Sequence, residues 1–425
     1  MKTLSTKPVS VLLICHSYPP VLGGSEIEAQ RVCSALIQRG HHIRVVCAGG
    51  EPMPTVRDWV DPKGVPVRIY AGRWKGAMKD IVFALRVAGT LIRERKKYEI
   101  VYFLMQGLHL ATGLPTARLL RKPIVMKISG SGVVPFMSKS TLGRLELAWL
   151  RKWAQRVMIL NEGMRQEAIN HGLSPEQLLW MPNPVDTQEF APCGPHDRGA
   201  LRAQFGISPL APVVLYCGRL APEKGLPSLL EAFGILIQTV PGARLVLVGD
   251  GPSRAELDQQ ARSLKLEANI HFSGRVDPSQ VSSWLKIADV FALVSPSEGF
   301  PCAVAEAMST GVACVVSDIP ANRQLIDPDE QGLLVPVGNA GAIAAALLHL
   351  IGDNALRERM GQAGRKRILD NYATSHIADR YENLFRSVLG QDRGPTELLG
   401  DCPQQHAPHN RAMDMNNEIV NGAER

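Results

Sequence analysis

The feature that most constrains the fold is an alternation of short apolar runs with longer amphipathic stretches along almost the whole chain. Near the start, VSVLLICH is followed by a glycine-containing loop, the helical stretch SEIEAQRVCSALIQRG and a second apolar run, HIRVVCA. Ser25 is a suitable N-cap for that helix and Gly40 a suitable stop. Continuously apolar strands joined by crossover helices are typical of parallel sheets covered on both faces. The pattern therefore predicts an α/β fold.

The alternation falls into two series, which predict two domains. Five apolar runs end near RVMILN, and a second set begins at PVVLYCGRL, with the break in APCGPHDRGA. A chain of 425 residues is long enough for two full cores. We therefore expect two doubly wound Rossmann-like domains facing each other, over residues 1–190 and 201–370, with a linker at 191–200. We also expect a C-terminal helix over 371–390 that packs back on the N-terminal domain, and a disordered tail over 391–425.

Cysteine use and hydropathy indicate the compartment. The eight cysteines form no C-x-x-C pair and mostly lie in apolar runs, as free thiols in a reducing compartment do. The chain also has no apolar run of about 18 residues, the length that a membrane-spanning helix needs. We expect a cytoplasmic protein that is soluble or peripheral to the membrane.

Positive charge is concentrated in the first half of the chain. Residues 1–200 hold 27 Lys and Arg against 15 Asp and Glu, whereas residues 201–425 hold 20 against 25. Two stretches, 73–97 and 137–156, intersperse basic with apolar side chains and predict basic amphipathic helices. They are either ordinary surface helices packed on the sheet or helices that dock on an anionic membrane surface. We expect no nucleic acid partner.

Two glutamates stand out in the apolar segment SPSEGFPCAVAEAMSTG, residues 295–311. Glu298 and Glu306 are separated by seven residues, and Glu306 is flanked by alanines on a predicted helix from about 301 to 310. A buried carboxylate is costly unless something hydrogen-bonds to it. Either protein groups satisfy Glu306, or a ligand does.

The loops that follow the strands of the second domain bear the groups of a ligand site. Arg219 and Lys224 follow VVLYC, and Glu298 with the start of a helix follows FALVSPS. Ligands of doubly wound sheets bind at the carboxyl ends of the strands. The two cations can hold phosphates, a helix N-terminus can cap them, and carboxylates suit paired hydroxyl groups. The loops therefore predict a site for a phosphorylated, polyhydroxylated ligand.

The ordered motifs resemble a known family. GRLAPEKG, VGDGP, SEGFPCAVAEAMSTGVACVVSD and GLLVPVGN look like the donor domain of family 4 glycosyltransferases, which have the GT-B fold. PPVLGGSE resembles the family's first glycine-rich loop, and MPNPVDTQEF its segment before the interdomain linker, with Pro184 in place of the usual glycine. The similarity covers roughly residues 9–385. It implies transfer of a sugar from a nucleoside diphosphate to an acceptor with retention of configuration, without a cofactor or a bound metal.

The resemblance also implies roles for single residues. Arg219 and Lys224 would bind the donor diphosphate, Glu306 the ribose, and Glu298 the donor-sugar hydroxyls, so Arg219, Lys224 and Glu298 are the implied catalytic residues. The full implied donor-binding set is Gly23, Gly24, Gly218, Arg219, Lys224, Val276, Glu298, Gly299, Phe300, Pro301, Cys302, Ala303 and Glu306. The acceptor is expected to be a lipid-linked bacterial glycan of polysaccharide or lipopolysaccharide synthesis.

The chain departs from the family pattern on the acceptor side. At the end of the strand KPIVMKIS the family often has a histidine before glycine, whereas this chain has Ser129 before Gly130. We place the acceptor side at these two residues, and His16 and His109 are both candidates for the missing histidine. The departure leaves a non-catalytic sugar-nucleotide-binding subunit as one alternative, and a sugar-nucleotide 2-epimerase of similar fold as another. Asp327 and Asp329 in DPD imitate a metal-binding pair, but their turn-rich surroundings favour a loop.

Overall fold

The first of two sheets is built from the N-terminal half of the chain. A computed structural model describes residues 7–19, 23–49, 56–70 and 76–391. The first sheet has the strand order β3-β4-β2-β1-β5-β6-β7-β8, and only the β3–β4 pair is antiparallel. Its strands are β1 Ser10–Cys15, β2 His42–Ala48, β3 Arg57–Val60, β4 Pro66–Tyr70, β5 Ile100–Leu104, β6 Ile124–Lys127, β7 Ala154–Ile159 and β8 Leu178–Trp180.

Helices cover both faces of this sheet, as expected for continuously apolar parallel strands. They are α1 Gly24–Gln38, α2 Ala77–Arg93, α3 His109–Leu119, α4 Val133–Ser138, α5 Thr141–Trp153 and α6 Glu162–Asn170. The predicted N-cap at Ser25 is wrong, because α1 begins two residues earlier than that cap implies, and Gly23 is its N-cap in an extended conformation. The glycine pair therefore forms the very start of the helix.

The second sheet is all parallel, with the order β11-β10-β9-β12-β13-β14. Its strands are β9 Val213–Cys217, β10 Arg244–Val248, β11 Ile270–Gly274, β12 Val290–Leu293, β13 Ala313–Ser317 and β14 Gly332–Val335. Successive strands are added first on one side of β9 and then on the other. The crevice between the loops after β9 and β12 is thus the topological switch point, where ligands of such sheets bind.

The remaining helices surround the second sheet and then return to the first. They are α7 Pro195–Gln204, α8 Leu226–Thr239, α9 Arg254–Ser263, α10 Val281–Lys286, α11 Cys302–Ser309, α12 Pro320–Arg323, α13 Ala340–Gly352, α14 Asn354–Asn371 and α15 Thr374–Val388. The last helix packs against α1, and Arg39 at the C-terminal cap of α1 places its Nη1 2.6 Å from Asp379 Oδ1. Of the predicted tail, all but Gln391 lies outside the described residues.

Two hydrophobic clusters form the core. One contains Phe103 and Met126 of the first sheet, Phe190 of the connecting segment and Phe291 of the second sheet, and so runs through both domains. The other lies beneath α1 and α15. In the described parts of the chain, no helix is both long and apolar enough to cross a membrane. The mixed α/β architecture with two parallel-sheet domains confirms the predicted fold class.

Candidate active site

The loop after β9 turns back sharply and brings Lys224 to the loop after β12. The turn is made at Gly225, whose φ of +65° is a left-handed conformation that side chains rarely adopt. A Cβ at this position would also lie 2.4 Å from the carbonyl oxygen of Val294, so only glycine fits. As a result, Lys224 Nζ lies 2.7 Å from Glu298 Oε1.

Lys224 and Glu298 form a largely shielded ion pair at the switch point. The exposed fractions of their side chains are 21% and 11%. Charges that are partly removed from water interact more strongly than charges on an open surface. The pair therefore places one cation and one anion within reach of the same ligand, which suits a phosphate beside a sugar.

Arg219 lies in the same loop but is more accessible. Its side chain is 66% exposed and forms an ion pair with Glu223, four residues further on. The backbone carbonyl of Arg219 accepts a hydrogen bond from the Tyr216 hydroxyl at 2.8 Å. The anchored backbone and exposed guanidinium would let Arg219 exchange Glu223 for an anionic ligand.

The Glu298 loop is held by residues of the first domain. Ser131 Oγ donates to the carbonyl oxygen of Glu298 at 2.9 Å, and Asn161 Nδ2 donates to that of Gly299 at 2.7 Å. A Cβ on Gly299 would lie 3.0 Å from both Gly130 Cα and the Ser129 carbonyl oxygen. The predicted acceptor-side residues Ser129 and Gly130 thus lie directly against the Glu298 loop.

The N-termini of α1 and α11 meet across the same cleft. A Cβ on Gly24 would lie 3.4 Å from Cys302 Sγ, and Asn183 Nδ2 lies 3.5 Å from that sulfur. Burial raises the pKa of the Cys302 thiol to about 12, so it stays protonated. The Cys302 amide donates to the Phe300 carbonyl oxygen at 2.9 Å, within a tight turn. Phe300 and Pro301 are buried beneath, and Ala303 is half-buried beside Cys302.

Glu306 has a protein partner that sequence reasoning missed. Arg31 of α1 reaches across the domain boundary, and its Nη1 lies 3.1 Å from Glu306 Oε1. The exposed fractions of the two side chains are only 9% and 13%. Burial raises the pKa of Glu306, and the guanidinium of Arg31 opposes that rise. The carboxylate of Glu306 is therefore satisfied by a protein group, the Arg31 guanidinium of the other domain.

A buried polar cluster supports the first-domain side of the cleft. Lys127, at the end of β6, is fully buried and forms an ion pair with Glu28 of α1. Its Nζ also lies 3.0 Å from Asn183 Oδ1, and Tyr381 of α15 donates to Glu28 Oε1 at 2.9 Å. One cluster thus fixes α1, the strand before Ser129, and the last helix.

The two candidate histidines differ in environment. His109 is buried, and burial together with nearby His16 lowers its pKa to about 3, which keeps it neutral. Both of its ring nitrogens are buried without a hydrogen-bond partner among the described residues. His16 is 41% exposed, and its Nδ1 lies 3.9 Å from Asp80 Oδ1. Of the two, only His16 has an accessible ring.

The remaining predicted residues are Gly218, Val276, Asp327 and Asp329. Gly218 begins the β9 loop with its amide bonded to Val248 O, and Val276 is half-buried after β11. Asp327 forms an ion pair with Arg367, and Asp329 lies in a turn with φ +66°. Within the described ranges, no group of three or more His, Cys, Asp and Glu side chains is arranged to hold a metal ion.

The fold and cleft define the class of protein, and sequence comparison supplies the family. Two facing doubly wound domains with a charged cleft between them are the GT-B architecture of glycosyltransferases. The family model "Glycosyl transferase 4-like domain" matches residues 23–184, and "Glycosyl transferases group 1" matches residues 197–367. The chain belongs to the family 4 type of glycosyltransferases and is a sugar-transferring enzyme of biosynthesis.

Several known proteins are similar to this chain. N-acetyl-alpha-D-glucosaminyl L-malate synthase of Bacillus anthracis is 23% identical over 88% of this chain and 96% of its own length. Phosphatidyl-myo-inositol mannosyltransferase of Mycobacterium tuberculosis is 27% identical over 89% and 97%. Among solved structures, Anabaena HepE in complex with UDP covers 89% of this chain and 100% of its own, with a TM-score of 0.76 and 20% identity. The structural likeness establishes the fold.

Proposed function

We propose that the protein is a retaining glycosyltransferase that takes its sugar from a nucleoside diphosphate donor. The observation that carries the proposal is the Lys224–Glu298 pair at the switch point, 2.7 Å apart and held against Ser131 and Asn161 of the other domain. The cation suits the diphosphate of such a donor, and the carboxylate beside it suits a hydroxyl group of the attached sugar. The UDP bound in the HepE structure supports a nucleotide ligand in this fold.

The donor would lie along the loops of the second domain. Lys224 and Arg219 would bind the diphosphate, Glu306 the ribose, and Glu298 a hydroxyl group of the sugar. Gly24 leaves room beside Cys302 for the first domain to approach the phosphates, since even a Cβ there would be only 3.4 Å from the sulfur. The approach of Gly24 to the phosphates would be complete only when both domains are close together.

Transfer would proceed by attack on the same face of the sugar that the diphosphate leaves. The bond from the anomeric carbon to the phosphate oxygen breaks, the acceptor hydroxyl oxygen bonds to that carbon, and its proton passes to the departing phosphate. Lys224 and Arg219 stabilise the negative charge that grows on the leaving oxygen, which is the most effective place for a fixed cation. Glu298 supports the positive charge that develops on the sugar.

We propose that this reaction needs no metal ion, since two cationic side chains stand where a metal would stabilise the leaving group. The measurement is the release of nucleoside diphosphate from a panel of UDP-, GDP- and ADP-sugars, with and without EDTA. We expect turnover of at least one donor, unchanged by EDTA. Loss of turnover in EDTA with rescue by Mg²⁺ or Mn²⁺ would contradict metal independence.

The acceptor is proposed to be a lipid-linked glycan at the cytoplasmic membrane face. Relatives named for phosphatidyl-myo-inositol and for lipopolysaccharide core synthesis support this proposal. In the structure, α2 and α5 bury part of their apolar side chains, such as Phe83 and Leu147, and leave others in solvent. The exposed ones are Met78, Ile81, Leu85 and Ile92 on α2, Phe136 on α4, and Leu142 and Leu145 on α5.

Basic side chains lie beside this apolar surface. Lys139 and Arg144 are exposed next to Phe136 and Leu145, and Arg93 is exposed at the end of α2. The predicted members Arg73 and Lys75 lie outside the described residues. Apolar side chains flanked by cations suit an anionic leaflet, where each cation near the surface is worth about 1 kcal/mol.

We expect the protein to co-sediment with vesicles that contain phosphatidylglycerol, and binding to fall as salt rises because exposed charges are screened. Replacing Phe136 and Leu145 together by serine should weaken binding. The matched control is Leu210→Ser, which removes an apolar side chain that is 92% exposed on the other domain. Equal binding to phosphatidylcholine vesicles, or none to anionic vesicles at low salt, would contradict membrane docking.

A further inference from the structure

Arg31 joins three parts of the molecule that meet at the domain boundary. Its Nη1 lies 3.1 Å from Glu306 Oε1 of α11 and 3.4 Å from the carbonyl oxygen of Pro184. Its Nη2 lies 3.7 Å from Glu189 Oε2, and the guanidinium stacks 5.4 Å from the centre of the Phe190 ring. The side chain is therefore enclosed by α11 on one side and by residues 184–190, just before the predicted linker, on the other.

The position of Arg31 on α1 explains this reach. Residues four and seven apart lie on one face of a helix, so Gly24, Glu28 and Arg31 point in the same direction. Gly24 meets Cys302 at the start of α11, and Arg31 meets Glu306 one turn along that helix. The two helices thus touch at these two points, which lie at the proposed phosphate end and the proposed ribose end of the donor site.

The contact fixes Glu306 without enclosing it. Arg31 binds Oε1, and the Glu306 side chain keeps 13% of its surface exposed. A carboxylate has about four acceptor positions on its two oxygens, so one guanidinium contact leaves room for hydroxyl donors. An ionised acceptor also makes stronger hydrogen bonds than a neutral one. Holding Glu306 charged and in one orientation is what recognition of a ribose requires.

We propose that Arg31 is a positioning residue for the donor nucleotide: it aims the Glu306 carboxylate at the ribose hydroxyls. This inference rests on the proposed function. Because Arg31 belongs to the first domain and Glu306 to the second, the ribose contact is complete only when the domains are close together. Arg31 thereby links recognition of a ribonucleotide to closure of the cleft.

The test compares ribonucleotides with their 2′-deoxy counterparts by calorimetry, using the pairs UDP and dUDP, GDP and dGDP, and ADP and dADP. The wild-type protein should bind one ribonucleotide roughly tenfold or more tightly than its deoxy partner, the scale of a hydrogen bond to a charged group. The Arg31→Gln variant should bind the two almost equally, and Arg31→Lys should recover part of the difference. A ratio of affinities does not depend on overall stability.

The matched control is Arg39→Gln, which removes the arginine at the C-terminal cap of α1. Arg39 contacts Asp379 and the Ser375 carbonyl oxygen of α15, away from α11. The Arg39→Gln variant should keep the wild-type preference for the ribonucleotide. Thermal unfolding measurements check that each variant is folded. If Arg31→Gln keeps the wild-type preference for the ribonucleotide, the role of Arg31 is overturned while the proposed function stands. Failure of the wild-type protein to bind any of the six nucleotides would overturn the proposed function and this inference with it.

Discussion

Replacing Lys224 by alanine should lower kcat for sugar transfer by roughly 10²–10³-fold, the loss seen when one fixed donor to a developing oxyanion is removed. The reason is that the charge on the leaving diphosphate grows in the transition state, and Lys224 is the shielded cation at the switch point. Arg219→Ala should act in the same direction, with a smaller loss because its side chain is 66% exposed. The measurement is steady-state release of nucleoside diphosphate.

A closely matched control exists for Arg219. Arg262 is 68% exposed and forms an ion pair with Asp258 four residues away, as Arg219 does with Glu223. Arg262→Ala on α9 should leave kcat unchanged. Near-normal kcat in both Lys224→Ala and Arg219→Ala would exclude these cations from leaving-group stabilisation.

Replacing Glu298 and Glu306 by glutamine, one at a time, should have two different effects. Glu298→Gln should abolish most transfer while nucleoside diphosphate still binds. Its affinity is expected to stay the same or rise, because Lys224 loses the carboxylate that competes with phosphate for its ammonium group. Glu306→Gln should instead weaken nucleotide binding by roughly tenfold, the scale of a lost hydrogen bond to a charged group.

Calorimetry with the free nucleotide and turnover with the sugar donor measure these two effects. Glu306→Gln also leaves Arg31 without its closest carboxylate, so its unfolding temperature should be recorded beside that of Glu298→Gln. If Glu298→Gln loses the nucleotide and Glu306→Gln keeps it, the assigned roles are reversed.

The sequence predicted the parts of the fold that depend on local periodicity. The long apolar strands, such as β1, β9 and β13, were found because each is buried on both faces. Short strands without that signal were missed, including edge strand β3, whose four residues are mostly exposed, and β8, with only three. The N-cap of α1 was misplaced because serine is the better cap, whereas the structure begins the helix at the glycine pair.

Site contacts across the domain boundary could not be predicted in the same way. The loops after β9 and β12 were expected to meet because strand ends share one edge of a sheet. No local pattern links Arg31 to Glu306, which are 275 positions apart in sequence. The sequence offered only a weak signal for this contact. Arg31 lies two helical turns after Gly24, on the same helix face as Glu28. The residue roles inferred from family resemblance stay predictions.

The most direct test of the account is the fate of the anomeric centre when the purified protein acts on its donor. A proton NMR time course would follow UDP-, GDP- and ADP-sugars of known configuration as they are slowly hydrolysed by water or transferred to an acceptor. We expect loss of one donor, release of its nucleoside diphosphate, and a first-formed product with the donor's configuration. A first-formed product of inverted configuration, or no turnover of any donor by the wild-type protein, would contradict it.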